Sequence, residues 1–275
     1  MSKASISRAW EETRAIVARD GSLFASIALA LLVLPGLVGD LLIPSAKGRG
    51  LAELQSAGAG RLVGMAIIFV IALVGQLAII RLASGARLTV GGAIAHAARR
   101  APVYIAAGAI WMLPLVIVGA AIVTAVKPDG GSPTASVALA VLIGTLVLLI
   151  GGSIMFVRMI MTAPVAANEG VGPVELIRRS WELTRGNWLR LFGFFLLFIL
   201  AVGVLMAAVG AVVGSLAGLA FGELERMSIG AFIVSVVMQL VGAAVSVTFS
   251  VMLARIYLQL SGTGHARTSV PSSAD

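Results

Sequence analysis

The sequence predicts an all-α integral membrane protein. It reads as a six-transmembrane-helix bundle built from three pseudo-repeats, each an interfacial amphipathic helix followed by two spans. Three observations predict this. First, of 275 residues 59% are hydrophobic and only 12% charged, about half the ~25% of soluble domains. Such a chain cannot cover its surface with polar groups, which excludes a soluble globular enzyme. Second, six apolar stretches reach the ~20 residues needed to cross ~30 Å of hydrocarbon. Third, a seven-residue pattern occurs twice, each time just before a span.

The six stretches are Ser22–Leu42, Leu62–Ala83, Val103–Val126, Ala135–Arg158, Leu189–Gly218 and Ile229–Leu258. Runs such as Val137–Ile143 lack the alternation a barrel strand requires, so helices are expected. The first stretch reads as a retained span rather than a cleaved signal. Its leader carries acidic residues, and its end holds Pro35, Asp40 and Pro44 instead of a small-residue cleavage site. Pro35 and Pro114 occupy similar places in spans one and three, where neighbouring helices can satisfy the carbonyls a proline frees.

Basic residues orient the bundle. Fifteen fall on one side: Lys3, Arg8, Arg14 and Arg19; Arg81, Arg87, Arg99 and Arg100; Arg158, Arg178, Arg179, Arg185 and Arg190; Arg255 and Arg267. Five fall on the other: Lys47, Arg49, Arg61, Lys127 and Arg226. The positive-inside rule then puts both termini in the cytoplasm. It also accounts for the net charge of +8 without a nucleic-acid partner. Residues 1–262 are expected to form one transmembrane domain, and the small, polar tail 263–275 reads as disordered.

The repeated pattern is R-x-W-E-x-T-R. It appears as Arg8, Trp10, Glu11, Thr13 and Arg14, and 171 residues later as Arg179, Trp181, Glu182, Thr184 and Arg185. The same offset aligns Ile6 with Ile177 and Phe24 with Phe195. A weaker middle copy, around Val90–Arg100, keeps Ile94 and the arginines but has no Trp. Each even-numbered span carries an arginine at its basic end: Arg81, Arg158 and Arg255. In the two clear copies Ile6, Trp10, Thr13 and Val17, and likewise Ile177, Trp181, Thr184 and Trp188, are spaced to share one helical face. Pro173 suits a first turn, and Gly186 a C-terminal stop. A helix with aromatic and basic faces lies at the membrane interface.

These helices supply the candidate binding residues: Arg8, Trp10, Arg14, Glu169, Arg178, Arg179, Trp181 and Arg185. The expected partners are membrane lipids, anionic phospholipid among them, or a protein partner or second copy. The bland reading is that they are structural elbows. Likewise Arg178, Arg179 and Arg185 either meet a lipid phosphate, or join Glu169 and Glu175 in an ion-pair network that fixes the loop; the sequence favours the network. Gly210, Gly214, Gly218 and Gly222 give a smooth helix face, read first as packing within the bundle and second as a dimer face.

Catalytic signals are not seen. No Cys is present, and the only two histidines are His96 and His265. No metalloprotease, hydrolase-elbow or phosphate-loop spacing occurs, so no cofactor or metal is expected. Within the spans ionisable groups are almost missing: Asp40 is near the outer end of the first, Gln76 and Gln239 are polar but uncharged, and no Asp, Glu, Lys or His sits at mid-bilayer, which argues against an ion-coupled transporter.

The run Ala163-Pro164-Val165-Ala166-Ala167-Asn168-Glu169-Gly170, with Arg178-Arg179-Ser180-Trp181-Glu182-Leu183-Thr184-Arg185-Gly186-Asn187-Trp188, resembles the membrane domain of some glycerophosphoryl diester phosphodiesterases and of related stand-alone bacterial proteins. In those enzymes a separate soluble barrel with acidic metal ligands does the chemistry, and no such barrel is expected in this chain. The resemblance therefore implies membrane architecture and an association with phospholipid metabolism, not hydrolysis. The expected role is a non-enzymatic scaffold, accessory or lipid-interacting protein of the bacterial inner membrane. The alternative is an uncoupled channel or lipid exporter, with an unrecognised membrane enzyme as a third reading.

Overall fold

The computed structural model describes residues 5–42, 58–86, 88–125, 134–222 and 228–262. Among these residues every regular element is a helix. In chain order they are α1 (Ile6–Ala28), a π-helical turn (Leu29–Val33), α2 (Leu34–Leu42), α3 (Ala59–Ala83), α4 (Val90–Ala125), α5 (Ala135–Met159), α6 (Thr162–Asn168), α7 (Pro173–Thr184), α8 (Trp188–Phe221) and α9 (Ile229–Leu260). Six helical segments are long and apolar enough to cross a membrane: Ile6–Asp40, Ala59–Ala83, Val90–Thr124, Ala135–Asn168, Trp188–Phe221 and Ile229–Leu260. The protein is a multi-pass membrane protein. Lys3, Lys47, Arg49, Arg87, Lys127, Arg226, Arg267, Pro44, His265 and the tail lie outside the described residues.

The expected boundary between amphipathic helix and span is drawn differently in each part of the chain. At the N-terminus there is no loop. The helix that starts on the Ser5 cap runs into the first span across one non-helical residue, Asp20 (φ −110°, ψ 15°). In α4 the amphipathic and spanning stretches are one 36-residue helix with Pro102 and Pro114 inside it. Only α7 is separate. Pro173 begins it and Arg185 leaves helical geometry; Gly186 then takes φ +84°, a left-handed turn that a side chain would strain, before α8 starts.

The π-helical turn has a local cause. Proline has no N–H to give the carbonyl four residues back, and its ring crowds that carbonyl. The ladder loosens just before Pro35, and the Leu34 N–H reaches five residues back to Leu29 O. The turn then lies tightly on α3, where a Cβ added to Gly75 would stand 2.9 Å from Leu31 Cβ.

One element was not foreseen. The sequence predicts no element between the end of span four and Pro173, but Thr162–Asn168 forms the short helix α6, and residues 162 to 167 are all buried. Ala163, Ala166 and Ala167 are small enough to let it sit among α3, α4 and α7. The helix α9 is the hub: it packs on α1, α3 and α8, and its C-terminal half, including Ser250–Ala254 and Ile256, is buried.

Burial is unevenly distributed along the spans. The core gathers at the basic end, from Leu77, Ile79 and Ile80 on α3, Val157 and Met161 after α5, and Val251 and Ile256 on α9. The opposite halves of the spans are apolar yet uncovered, as at Leu197 (71% exposed) and Leu219 (86% exposed). Such a surface would not be tolerated in water. Within a bilayer, hydrocarbon covers it, and the bundle needs a dense core only where polar groups must be organised.

Candidate functional site

Most polar groups of the described residues converge at the basic end in three linked clusters; a separate one lies toward the opposite end, where Asp40 accepts from Ser235 and from Gln239 Nε2 at 3.2 Å. The first holds the N-terminal helix. Glu12 accepts from Arg8 Nε at 2.9 Å and from Arg255 Nε, on α9, at 2.6 Å. The Ser5 backbone N–H donates to Gln259 Oε1, also on α9, at 2.9 Å. Ala9 and Thr13 form the buried face of this helix, and Thr13 Oγ1 donates to Ala9 O at 2.7 Å.

The second cluster surrounds α7. Ser180, fully buried, donates from Oγ to Arg158 O at 2.7 Å. The Arg158 guanidinium stands 4.6 Å from the centre of the Trp181 ring, a cation–π contact. Glu169 accepts from Arg179 Nε at 3.3 Å and from Tyr257 Oη at 2.8 Å, tying α7 to α9. Arg179 also reaches Glu182 at 3.5 Å. Arg178 pairs with Glu175 at 2.6 Å on the exposed side. That hydrogen bond holds the Glu175 carboxyl below its ordinary range and raises the Arg178 guanidinium.

The third cluster caps α6. A helix ends with carbonyls that have no partner inside the helix and attract cations. Here Arg100 Nε donates to Ala166 O at 3.1 Å, and its Nη2 to Val171 O at 2.6 Å. His96 Nε2 lies 3.1 Å from Ala167 O. Asn168 accepts from Arg81 Nη1 at 3.0 Å and donates to Ser84 Oγ at 3.0 Å. The arginines at the ends of the even-numbered spans are thus all employed in clamping basic-end helices.

The anticipated residues divide. Glu169 and Arg179 meet in the expected network, and Arg178 pairs within its own helix. Arg8 is bound to Glu12. Trp10 and Trp181 are 46% and 42% exposed, while the smaller Ala9 and Ser180 beside them take the tightest contacts with the bundle. Arg14 and Arg185 are exposed and have neither ion pair nor side-chain hydrogen bond among the described residues. On α8, a Cβ added at Gly214 or Gly218 would meet nothing within 4 Å, and one at Gly210 would only graze Met238 at 3.9 Å. Gly222, with φ +78°, ends the helix. Among the described residues, the glycine face therefore makes no close helix contact.

Tyr257 was missed by sequence reasoning, although its position two residues beyond Arg255 was a signal that it shares the basic end. Arg100 and His96 were noted only as part of a connection; a histidine and an arginine one turn apart on α4 are spaced to serve one neighbour. Among the described residues no three or more His, Asp or Glu side chains come together as a metal ligand set. The arrangement presents exposed aromatic and cationic groups over a rigid polar layer, which suits binding at an interface.

Residues 134–269 match the family model for the membrane domain of glycerophosphoryl diester phosphodiesterase. The match takes in α5 to α9, and so the second and third clusters apart from their α3 and α4 members. No curated protein and no solved structure matches the chain.

Proposed function

We propose, for a chain whose residues 134–269 belong to the membrane-domain family of glycerophosphoryl diester phosphodiesterase, a non-enzymatic role as a lipid-interacting accessory protein linked to phospholipid metabolism. Its working surface is the basic end, facing the cytoplasm of a bacterial inner membrane, where anionic phospholipid presents its phosphates. The orientation follows from the basic-residue asymmetry of the sequence.

One observation carries this reading. In both copies of R-x-W-E-x-T-R an exposed Trp is followed four residues later by an exposed Arg with no partner among the described residues: Trp10 with Arg14, and Trp181 with Arg185. Trp favours the headgroup level of a bilayer, and a free guanidinium there meets a phosphate in its bidentate geometry. The other arginines of the motifs have carboxylates of their own, so phosphate contact narrows to these two positions.

The test is native mass spectrometry of the gently extracted protein, with bound lipids identified. Arg185→Gln lowers retention of phosphatidylglycerol, and adding Arg14→Gln lowers the total phospholipid retained further, most clearly at low salt. Arg178→Gln leaves it nearly unchanged. Equal retention in all variants at low salt overturns the reading. A tightly bound protein in place of lipid points instead to a scaffold.

A further inference from the structure

α1 and α8 pack on either side of α9 and hardly on each other, which leaves α9 uncovered along a lateral furrow. On the α8 side the furrow is a cleft of about 760 Å³, with Phe194 at its basic end and Leu205 at its deep end. On the α1 side a second cleft of about 400 Å³ runs past Phe24 and Ala28. The two share Ala244 and Thr248 of α9 as a common wall. Phe194 to Leu205 is about 16 Å of helix, close to half of the ~30 Å hydrocarbon thickness. The furrow is thus one leaflet deep and has two apolar channels side by side.

Its mouth is polar. Ser7, Trp10 and Glu11 line the opening, and Arg14 continues the same helical face at i, i+3, i+4 and i+7 spacing. Glu11, like Arg14, is exposed and has neither ion pair nor side-chain hydrogen bond among the described residues. The C-terminal copy explains why. Its equivalent of Glu11 is Glu182, which pairs with Arg179. In the N-terminal copy Arg8 turns instead to Glu12, whose counterpart is Leu183. The extra carboxylate takes the arginines and leaves Glu11 unneutralised beside an unneutralised Arg14.

We infer that the furrow binds one diacyl phospholipid whose head carries an ammonium beside its phosphate. Its two chains fill the two clefts, its phosphate meets Arg14 and Ser7, and its ammonium meets Glu11. This rests on the lipid-interacting reading and assigns the N-terminal copy a zwitterionic head, where the C-terminal copy offers only a cation. A purely anionic head would meet Glu11 with like charge.

The full-length protein is reconstituted in nanodiscs of equal phosphatidylethanolamine and phosphatidylglycerol, released, and its retained lipid identified by native mass spectrometry. One phosphatidylethanolamine per protein is expected. Ala244→Phe, which narrows both channels, lowers its retention about tenfold. Ala201→Phe, on the α8 wall, replaces that variant if circular dichroism shows A244F unfolded. Glu11→Gln lowers the ratio of phosphatidylethanolamine to phosphatidylglycerol roughly threefold, the size of one exposed charge contact. Retention unaffected by filling the furrow overturns the chain-binding part. A ratio equal to that of the nanodisc, or unmoved by E11Q, overturns the headgroup part. Arg185→Gln separates the two readings: loss of phosphatidylglycerol there, with A244F and E11Q silent, removes this inference and leaves the surface reading standing.

Discussion

The two copies of R-x-W-E-x-T-R bury the same positions and secure themselves by different means. Ala9 and Thr13 in one, Ser180 and Thr184 in the other, lie against the bundle at essentially zero exposure, with the Trp beside them left outside. In both, the Thr hydroxyl bonds a carbonyl four residues back, at 2.7 Å and 3.0 Å. The anchors differ. The N-terminal helix is held by charge, through Glu12 and Arg255. α7 is held by a buried hydroxyl on Arg158 O and by Glu169, which reaches Tyr257. Both anchors include α9, which explains why that helix is the hub. One motif can thus conserve its packing face while its polar partners are reassigned by single neighbours, here Glu12 against Leu183.

Six substitutions at four places break or sharpen this contrast, each read as a change in unfolding midpoint in detergent. The largest effect is expected at the shared packing face. Ser180→Leu and Ala9→Leu force bulk into fully buried positions, and each costs about 3 kcal/mol. A loss at one site alone would show that the two helices are not seated alike. Next is the charged anchor. Arg255→Leu leaves Glu12 without its α9 partner and costs about 2 kcal/mol, while combining it with Glu12→Leu, which copies the Leu183 of the other motif, costs less than the sum of the two single variants. Additive effects would dismiss the pair as an anchor.

A smaller loss, about 1 kcal/mol, is expected for Tyr257→Phe, which removes one hydroxyl from Glu169 and leaves the N-terminal anchor intact. The smallest concerns the exposed Glu175–Arg178 pair. The folded carboxyl is depressed, so its contribution is present above the ordinary carboxylate pKa and is lost as pH falls through the lower folded value. The midpoint difference between the native chain and Glu175→Gln therefore shrinks to nothing in acid. A difference that persists below the carboxylate range would refute that assignment.

Some of the site was legible before any coordinates. Pro173 and Gly186 marked the ends of α7, because one has no N–H to lose and the other tolerates a left-handed turn. Glu169 and Arg179 could be paired from composition alone, since a carboxylate among arginines at an interface seeks them. Other features were hidden. The stretch 162–168 predicts no element because seven residues are too few to show a period, and the helix exists there through burial against three neighbours. The spacing groups Trp10 with Thr13 on one helical face, and does not show that tight helix contact selects Thr13 and the small Ala9 and leaves the large ring outside.

The sequence by itself determined the spans, the basic end, the repeated motif and the ends of α7. These depend on hydropathy and backbone chemistry that act over a few residues. The tertiary structure alone decided that Glu12 meets Arg255, 243 residues away, that Glu169 meets Tyr257, and that Arg14, Glu11 and Arg185 have no partner among the described residues. The physical reason is that a charged group at a crowded interface bonds whichever neighbour packing brings within ~3 Å, and packing is a property of the whole bundle.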